Sequence, residues 1–348
     1  MTAIEKNPIT LGQVTALNDR RKGESLWADA MRRLFRNKLA VVGLVIILIN
    51  IGLAILAPVI APYSFKEQNR AAANSAPQWV TQLFPNMKPI GVEGGYIRVN
   101  NDYVMGADAV GRDIFSRLLY GARVSLVVAF IGPLMSIIVG MIVGLVAGYA
   151  GGWVDNLLMR FVDIFYAFPT LLFIILLMTF FRLGLSDPVP GTFGAFMADI
   201  DDSTGGMIFI FIGIGLTSWM QMARLIRGQV LSIREKEYVE AARSIGTPTR
   251  KIMLSHILPN VLGPVIIAET LSIPTYISYE AFLSFIGLGV KVPTPSWGSM
   301  ISEGAERISS YPNQALFPAL ALFFVMFAFN FLGDGLRDAL DPRMRGAD

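Results

Sequence analysis

The chain has 348 residues, of which 53% are hydrophobic and 16% are charged, and its mean hydropathy is +0.54. Soluble domains average about 25% charged residues, so this composition indicates a protein embedded in a membrane. The sequence contains no cysteine, which excludes disulfides, thiolate chemistry and Cys-ligated metals, and its one histidine, His256, cannot by itself make a His-rich metal site or a His-based catalytic triad. The net charge of +3 is too small and too dispersed for a nucleic-acid groove. We therefore expect neither a metal ion nor a nucleic-acid partner.

An amphipathic helix is predicted at residues 25–38, ahead of the first apolar run. It segregates apolar residues from cations on opposite faces: Leu26, Trp27, Ala30, Met31, Leu34 and Phe35 against Arg32, Arg33, Arg36 and Lys38. Such a helix lies in the headgroup region with its cations toward anionic lipid. The alternative is a solvated helix, which would expose its large apolar side chains to water. Residues 1–24 show no periodicity and are expected to be disordered.

Six charge-poor apolar runs have roughly the 20 residues that a helix needs to cross a bilayer. They are Leu39–Ala61, Val124–Ala150, Ile164–Phe181, Ser203–Ala223, Pro259–Val290 and Ile308–Gly333. The expected fold class is therefore an all-α integral membrane protein with six transmembrane helices. The first run is too long for a signal peptide and lacks a cleavage site, so residues 39–61 should remain as a span.

The distribution of Lys and Arg predicts the orientation of these spans. With an even number of spans, both termini lie on one side of the membrane. That side would carry 19 of the 29 Lys and Arg residues, and 7 of the other 10 lie in one long loop. Long loops translocate with little regard to charge. We therefore expect both termini, including a tail at 338–348, in the cytoplasm and residues 62–121 outside it.

The external loop is much longer than an ordinary connection, which predicts a function or small elements of its own. Its segment 74–101 is rich in Pro, Gly and Asn and shows no helical period. Near its end Gly106 and Gly111 flank Asp108, and Arg112 and Asp113 follow, which predicts a turn leading into a helix. This motif is not a Walker A loop, and none occurs elsewhere in the chain. ATP is therefore not bound in the usual way by this polypeptide.

Small residues repeat at every fourth position of the second span, at Ser136, Gly140, Gly144 and Gly148. This spacing lets another helix approach closely. It favours a packing seam over glycines tolerated on a lipid-facing surface. Whether the partner helix belongs to the same chain is left open by the sequence.

The fifth span carries one polar stripe, at helical spacing, formed by Glu269, Ser272, Tyr276, Glu280 and Ser284. A carboxylate inside a membrane is a functional-site hypothesis by default. Either the stripe lines a water-accessible path for a polar substrate, or it is buried between helices with a protonated carboxyl. Both alternatives stay open for Glu269, whereas Glu280 is expected to face the path or its outer gate. Pro264 and Pro274 should bend the helix.

A polar segment at 229–260, between the fourth and fifth spans, is predicted to form two short helices separated by a turn. Helix-forming residues run from Ser232 to Ile245, and Gly246 suits a left-handed C-terminal cap. Thr247 is a candidate N-cap for the second helix, and Pro248 is suited to its first turn. Pro259 is expected to interrupt the chain again before the fifth span.

Five motifs in the same order give the chain a family resemblance. Residues 240–246 and 256–260 are similar to the E-A-A-x-x-x-G loop of ABC importer permeases through its closing L-P-N, and the others lie at 106–126, 283–289, 295–298 and 329–343. From about Ser25 to Arg345 the chain resembles the C-type permease subunit of bacterial dipeptide and oligopeptide ABC importers. That family also serves nickel and some oligosaccharides.

The resemblance implies a type I ABC importer permease in the cell membrane of a bacterium or archaeon, with a core at 122–337. It implies a non-catalytic subunit that pairs with a second, homologous permease and receives peptides from an extracytoplasmic binding protein. Two cytoplasmic ATPases, which would hold ATP and Mg²⁺, are expected to dock on the loop and swing the fourth and fifth spans. The residues expected in this coupling are Glu240, Ala241, Ala242, Gly246, His256, Pro259 and Asn260.

Two side chains of the loop have specific expected roles. Ala241 and Ala242 are small enough to let the ATPase surface come close. Glu240 either pairs with a basic residue of the ATPase or caps its own helix, and both alternatives stay open.

Two other classes of function are weighed against this one. A proton-coupled secondary transporter using Glu269 and Glu280 would be expected to show inverted internal repeats, and none is visible in the sequence. An exporter or a lipid-handling membrane enzyme is disfavoured, because only scattered Ser and Glu residues are available for catalysis.

Overall fold

A computed structural model describes residues 26–184 and 188–340 of the chain. This part is helical and contains no strand, only isolated β-bridges in the external loop such as the one between Ala76 and Val99. The expectations for residues 1–24 and for the end of the C-terminal tail, 341–348, lie outside the described residues. The all-α fold class is confirmed.

The described ranges contain thirteen α-helices. They are α1 (Leu26–Arg36), α2 (Lys38–Ile60), α3 (Gln78–Leu83), α4 (Ile114–Ala150), α5 (Gly152–Tyr166), α6 (Thr170–Gly184), α7 (Phe193–Ser203), α8 (Ile208–Arg234), α9 (Glu237–Ser244), α10 (Thr249–Ile252), α11 (Leu258–Phe285), α12 (Trp297–Ala305) and α13 (Pro312–Leu340). A π-helical turn, Met253–Ile257, joins α10 to α11.

The six predicted spans correspond to five long helices and one broken helix. Within the described residues, α2, α4, α8, the continuous Thr249–Phe285 helix and α13 are long and apolar enough to cross a membrane. The third span consists of α5 and α6, which are bent by 78° at the break between them. Pro169 lies in this break and disfavours a helical conformation for Phe168, which explains why the helix stops there.

Several span boundaries differ from those predicted. α4 begins at Ile114 rather than near Val124, because the Asp113 carboxylate caps its first turn by accepting a hydrogen bond from the Ser116 backbone N–H at 2.7 Å. α8 extends to Arg234, well beyond the predicted end of the fourth span. α13 begins at Pro312 and runs to Leu340, so the predicted tail starts inside this helix. Pro264 and Pro274 lie within α11 without ending it, and the bends expected there stay a prediction.

α4 and α8 pack along the seam predicted from the small residues. At three positions a β-carbon would lie only 2.7–2.8 Å from an atom of α8, namely at Gly140, Gly144 and Gly148. The hydroxyl oxygen of Ser136, the fourth member, lies 3.1 Å from the backbone carbonyl oxygen of Ser218 on α8. The seam interpretation is confirmed, and the partner helix belongs to this chain.

The outer end of α8 is tied to the segment that follows α11. The Lys291 backbone N–H donates to the carbonyl of Gly205 at 2.8 Å. The Lys291 ammonium lies 2.8 Å from the buried carboxylate of Asp201, the side chain of α7 that faces this segment. The same ammonium lies 2.7 Å from the Asp202 carboxylate, so three interactions from Lys291 hold the segment after α11 to the residues that lead into α8.

The external loop has a small core of its own, as its length suggested. Four buried residues pack beneath aromatic side chains near the start of α13: Ala76, Val80, Met87 and Ile97. The segment 74–101 contains α3, although no helical period was visible there, because six residues are too few to display one. The loop is therefore a folded unit rather than a flexible connection.

The N-terminal amphipathic helix is attached to the bundle along one strip. Ala30 and Leu34 are buried against Ala40 of α2 and Ala339 of α13. Met31 and Phe35 remain exposed along an adjacent strip, where apolar side chains suit a lipid surface better than water. The observed helix ends at Arg36, and Asn37 caps the start of α2.

The seam predicts opposite effects for one substitution at two glycines. Gly144→Ala should destabilise the protein by about 1–3 kcal/mol, because the new methyl group would overpack against Ala223 and Ile226. Gly228→Ala, also within a helix but with nothing within 4 Å of an added β-carbon, should be neutral or stabilising by up to about 1 kcal/mol. Thermal unfolding of the purified protein in detergent measures both, and equal effects would contradict the seam.

Candidate functional site

Residues 235–260, called the coupling element below, form the short-helix motif predicted between the fourth and fifth spans. The first helix differs from the prediction, since Ser232–Ile245 is not continuous. α8 ends at Arg234, a turn follows at Glu235 and Lys236, and α9 then runs from Glu237 to Ser244. The break turns the apolar face of α9 toward the bundle.

α9 ends in the left-handed cap that the sequence predicted. Gly246 has a φ of +76°, its N–H donates to the Arg243 carbonyl at 3.0 Å, and the Thr247 N–H donates to the Ala242 carbonyl at 3.0 Å. These two bonds define a Schellman motif, which satisfies carbonyls at the end of the helix. Because Thr247 belongs to this cap, it does not cap the next helix. Pro248 takes the N-cap position instead, and α10 begins at Thr249.

Pro259 does not interrupt the chain as expected. Helix α11 begins at Leu258, and the preceding π-helical turn widens the backbone, with the Leu258 N–H donating to the Met253 carbonyl. A proline inside a regular α-helix lacks an N–H and clashes with the carbonyl four residues earlier. A wider turn relieves that conflict, so Pro259 shapes the junction without ending the helix.

Asn260 and His256 connect the two ends of the coupling element. The Asn260 side-chain amide donates to the His256 carbonyl at 2.6 Å and lies 3.4 Å from the Tyr238 hydroxyl of α9. The His256 and Tyr238 rings are 6.4 Å apart between centroids. Thus the end of the motif contacts its beginning, which makes the element one compact unit.

The coupling element has one buried face and one exposed face. Val239, Ala242, Ile252 and Ile257 are buried in a cluster with residues of α4, α8 and α11. Ala241 and Glu240 point outward, as does Ile245, whose side chain is 83% exposed. Of the two alanines only Ala241 is therefore available to a partner surface, which corrects the expectation for Ala242.

Glu240 was expected either to pair with a partner or to cap its own helix. In the described part of the chain its carboxylate accepts no hydrogen bond, although Glu240 lies in the first turn of α9. Only its backbone carbonyl is used, as the acceptor for the Ser244 hydroxyl at 3.0 Å. The local cap is not formed, and the side chain is free to contact a partner.

The carboxylate of Glu269 is buried between helices. It accepts hydrogen bonds from the hydroxyls of Ser136 on α4 and Tyr276 on α11, the latter at 3.2 Å. This placement corresponds to the structural alternative rather than to an open path. Ser272, in the same stripe, is half-buried and donates to its own helix, at the Ala268 carbonyl.

Glu280 is completely buried, contrary to the expectation that it faces a path or gate. Its carboxylate accepts hydrogen bonds from the hydroxyls of Ser125 on α4 at 3.0 Å and Ser284 on α11 at 2.8 Å. Burying a polar group is costly unless it finds a partner, and these serines supply two. The Ser125–Glu280 bond therefore joins α4 to α11, whereas Ser284 supports the Glu280 carboxylate from within α11.

The external motif forms a buried network of charges. The Asp108 carboxylate lies 2.6 Å from Arg112 and 2.6 Å from Arg117, and Glu303 of α12 lies 2.6 Å and 2.7 Å from the same two guanidinium groups. Gly106 is one of the two positive-φ glycines of the predicted turn, at +91°. The turn into α4 is confirmed, and the ion pairs of Arg112 and Arg117 with Glu303 attach it to α12.

Gly111 and Asp113 complete this turn. Gly111 has a φ of +83°, and an added β-carbon would lie 1.9 Å from the Asn69 carbonyl oxygen, so only glycine fits. Burial raises the pKa of Asp113 above its usual value, although hydrogen bonds from Ser116 oppose that rise. The carboxyl therefore acts as a structural cap rather than as a surface charge.

Two members of the network, Arg117 and Glu303, were not predicted from the sequence. Arg117 lies in the first turns of α4, and helix periodicity relates it to Asp113 but not to Asp108, which precedes the helix. Glu303 is distant in sequence and carries no local signal that would assign it to this site.

Six spans, one of them broken, and a compact coupling element with an exposed face define a permease of the type I ABC importer class. Residues 140–346 match the family model described as binding-protein-dependent transport system inner membrane component. Residues 25–77 match the N-terminal TM domain of oligopeptide transport permease C. The chain belongs to the family of binding-protein-dependent transport system inner membrane components, and it is a permease subunit.

Curated relatives cover nearly the whole chain. It is 41% identical to the oligopeptide transport system permease protein OppC of Haemophilus influenzae, over 93% of this chain and 91% of that protein. It is 38% identical to the dipeptide transport system permease protein DppC of Bacillus subtilis, over 94% and 88% respectively. Membership of this family removes the secondary-transporter and membrane-enzyme alternatives.

A solved structure supports the fold. A chain from the inward-facing MetNI methionine ABC transporter matches with a TM-score of 0.51 and 17% identity, over 65% of this chain and 96% of that one. The likeness concerns the arrangement of the helices alone.

The external network predicts a large loss of stability from one arginine. Arg117→Gln should destabilise the protein by about 3–5 kcal/mol, because it leaves the buried Asp108 carboxylate with too few partners. The control is Arg307→Gln, which removes an exposed pair with Glu306 and should cost about 1 kcal/mol or less. Thermal unfolding in detergent compares the two, and a small effect at Arg117 would show that the network does not hold the turn.

Proposed function

We propose that this chain is one of two transmembrane subunits of an ATP-driven importer that carries dipeptides or oligopeptides into the cell. The observation that carries the proposal is the coupling element, which is fixed to the bundle on one face and exposes apolar side chains on the other. Ile245 is 83% exposed and Leu254 is 50% exposed. Apolar residues presented this way on a polar surface suit a protein partner.

The partner proposed for this face is a cytoplasmic ATPase subunit, one of a pair that binds ATP and Mg²⁺. Val239 and Ala242 of α9 pack against Ile233 of α8 and Val261 of α11. A displacement of the coupling element therefore moves α8 and α11 together, and the seam transmits that movement to α4. Closure of the ATPases on ATP would in this way change access to a path between this chain and a second, homologous permease.

The peptide substrate is proposed from the relatives, which are named for oligopeptide and dipeptide transport. An extracytoplasmic binding protein would deliver the peptide to the outer face. The folded external loop, held by its own core and by the Asp108 network, offers that protein a rigid surface. The chain itself supplies the path and the coupling but no catalytic group.

The orientation proposed places both termini and the coupling element in the cytoplasm of a bacterial or archaeal cell. It follows from the excess of Lys and Arg on that side, because short loops rich in these residues stay cytoplasmic. The amphipathic α1 would then lie on the inner leaflet.

Single cysteines test this orientation, and the natural absence of cysteine removes any background from this chain. A cysteine at Asn86, exposed in the external loop, should react with a membrane-impermeant thiol reagent in intact cells. A cysteine at Ser244, exposed on α9, should react only after the cells are opened. Labelling of both positions in intact cells would contradict the proposed topology.

The coupling role predicts a specific defect at Gly246. Gly246→Val places a β-branched residue at positive φ, which costs about 1–2 kcal/mol or more and should distort the turn between α9 and α10. The permease should insert at normal levels but lose ATPase subunits on purification, or retain them without substrate-stimulated ATP hydrolysis.

The control is Gly246→Asn. An added β-carbon meets nothing within 4 Å, so the restriction at this position is the backbone conformation and not space. Asparagine tolerates that conformation better than valine and should retain most of the coupled hydrolysis. Wild-type coupling in Gly246→Val, or equal losses in both variants, would remove the support for this role.

A further inference from the structure

A pocket of about 370 Å³ lies where the broken third span meets α8 and α11. All the side chains that line it are uncharged, and most are polar or aromatic. The polar groups include Thr170 of α6, Thr217 and Gln221 of α8, and Ser272 and Thr275 of α11. Two members of the polar stripe, Ser272 and Tyr276, line this pocket, whereas its carboxylates, Glu269 and Glu280, do not.

The pocket lies within three of the predicted membrane spans, the third, fourth and fifth. Gln221 is close to the centre of α8, which runs from Ile208 to Arg234, and Thr275 is well inside α11, which runs from Leu258 to Phe285. The nearest charges on α8 begin one turn further along at Arg224, which pairs with Asp163 of α5 at 2.5 Å. The pocket is therefore a neutral polar site inside the predicted spans, one helical turn from the first charged pair.

Two of its polar side chains have no partner in the described part of the chain. Thr217 and Ser272 donate to carbonyls of their own helices, at 3.1 Å and 2.8 Å. Gln221 and Thr275, by contrast, are exposed and make no hydrogen bond with any described residue. A free amide facing hydrocarbon is strongly unfavourable, so this surface faces water, a partner or a solute rather than lipid.

The break in the third span is a second, independent indication that this surface faces water. Residues 167–169 are non-helical and exposed, and Phe168 and Pro169 line the pocket. Non-helical backbone at membrane depth is tolerated only where it is buried in protein or lines a water-filled cavity. A concave, neutral surface with free hydrogen-bonding groups fits the second condition.

We infer that this pocket is part of the wall of the translocation path and that it binds the peptide backbone rather than side-chain charges. The substrate class rests on the proposed function. The Gln221 amide both donates and accepts, as a peptide group does, and the Thr275 hydroxyl can do either. Aromatic rings, including those of Tyr166 and Tyr279, give apolar surface to varied side chains. With no fixed charge, the wall neither holds nor rejects an ionised side chain.

The first experiment tests whether the pocket surface is accessible to water, and its result does not depend on the identity of the substrate. In the assembled complex with the second permease and the ATPases, Gln221→Cys and Thr275→Cys should react with a charged methanethiosulfonate reagent. Leu216→Cys, on α8 and 45% exposed but outside the pocket, should react at least ten-fold more slowly, because a thiolate forms only in water. Reactions as slow as that control, both with and without ATP, would mean that lipid or the second permease covers the surface, and would overturn the inference.

The second experiment tests what the wall recognises, using the tripeptides Ala-Glu-Ala and Ala-Lys-Ala, each supplied on saturated binding protein to the reconstituted importer. Gln221→Glu should raise transport of the lysine peptide relative to the glutamate peptide about five-fold or more. Gln221→Leu should lower transport of both equally. The matched control is Gln229→Glu, the same substitution on α8 outside the pocket, which should leave the ratio unchanged.

The outcomes separate this inference from the proposed function. An unchanged ratio in Gln221→Glu, while the wild type transports both tripeptides, would overturn the wall and leave peptide import standing. If the wild type moves neither tripeptide although the binding protein holds them, the proposed peptide function fails, and backbone recognition fails with it. In that case the cysteine reactivities still decide whether the pocket lines a hydrated path.

Discussion

Polar groups within the membrane must find partners inside the protein, and the arrangement of the spans follows from that requirement. Glu269 and Glu280 are accommodated because serines of α4 reach both of them. The same contacts attach α11 to α4, which is already joined to α8 through the glycine seam. Three spans thus become one rigid group, held by hydrogen bonds that hydrocarbon makes costly to break.

The coupling element can transmit movement because it is attached to this rigid group. A short helix on a flexible connection would be displaced without displacing the spans. Here α9 is capped by a Schellman motif, is joined to the start of α11 by Asn260, and is packed inward through Val239 and Ala242. Movement of its exposed face therefore becomes movement of α8 and α11.

The sequence predicted the features that depend on local pattern. Apolar length identified six spans, Gly246 identified a left-handed cap, and the small residues of α4 identified a seam. Features that depend on residues distant in the chain could not be predicted from the sequence. The sequence pattern of the stripe on α11 does not distinguish carboxylates that face water from carboxylates that face serines of α4. Only the fold shows that Ser125 lies beside Glu280.

Other differences arose where two local rules competed. Pro259 was expected to interrupt the helix, but a π-helical turn accommodates it. Thr247 was suited to an N-cap, yet its N–H was already needed to end α9. The path-facing surface proposed on α11 includes Ser272 and Tyr276 of the predicted stripe and extends around the helix to Thr275 and Tyr279, which the stripe did not include.

The length of α8 has a mechanical consequence. Its 27 residues span roughly 40 Å at about 1.5 Å per residue, with the coupling element at one end and the Lys291 tie near the other. A rigid rod that swings about that tie works as a lever. Gln221, close to its midpoint, would then travel about half as far as the inner end. The helix would thereby convert a large displacement at its inner end into a smaller and more forceful one near Gln221.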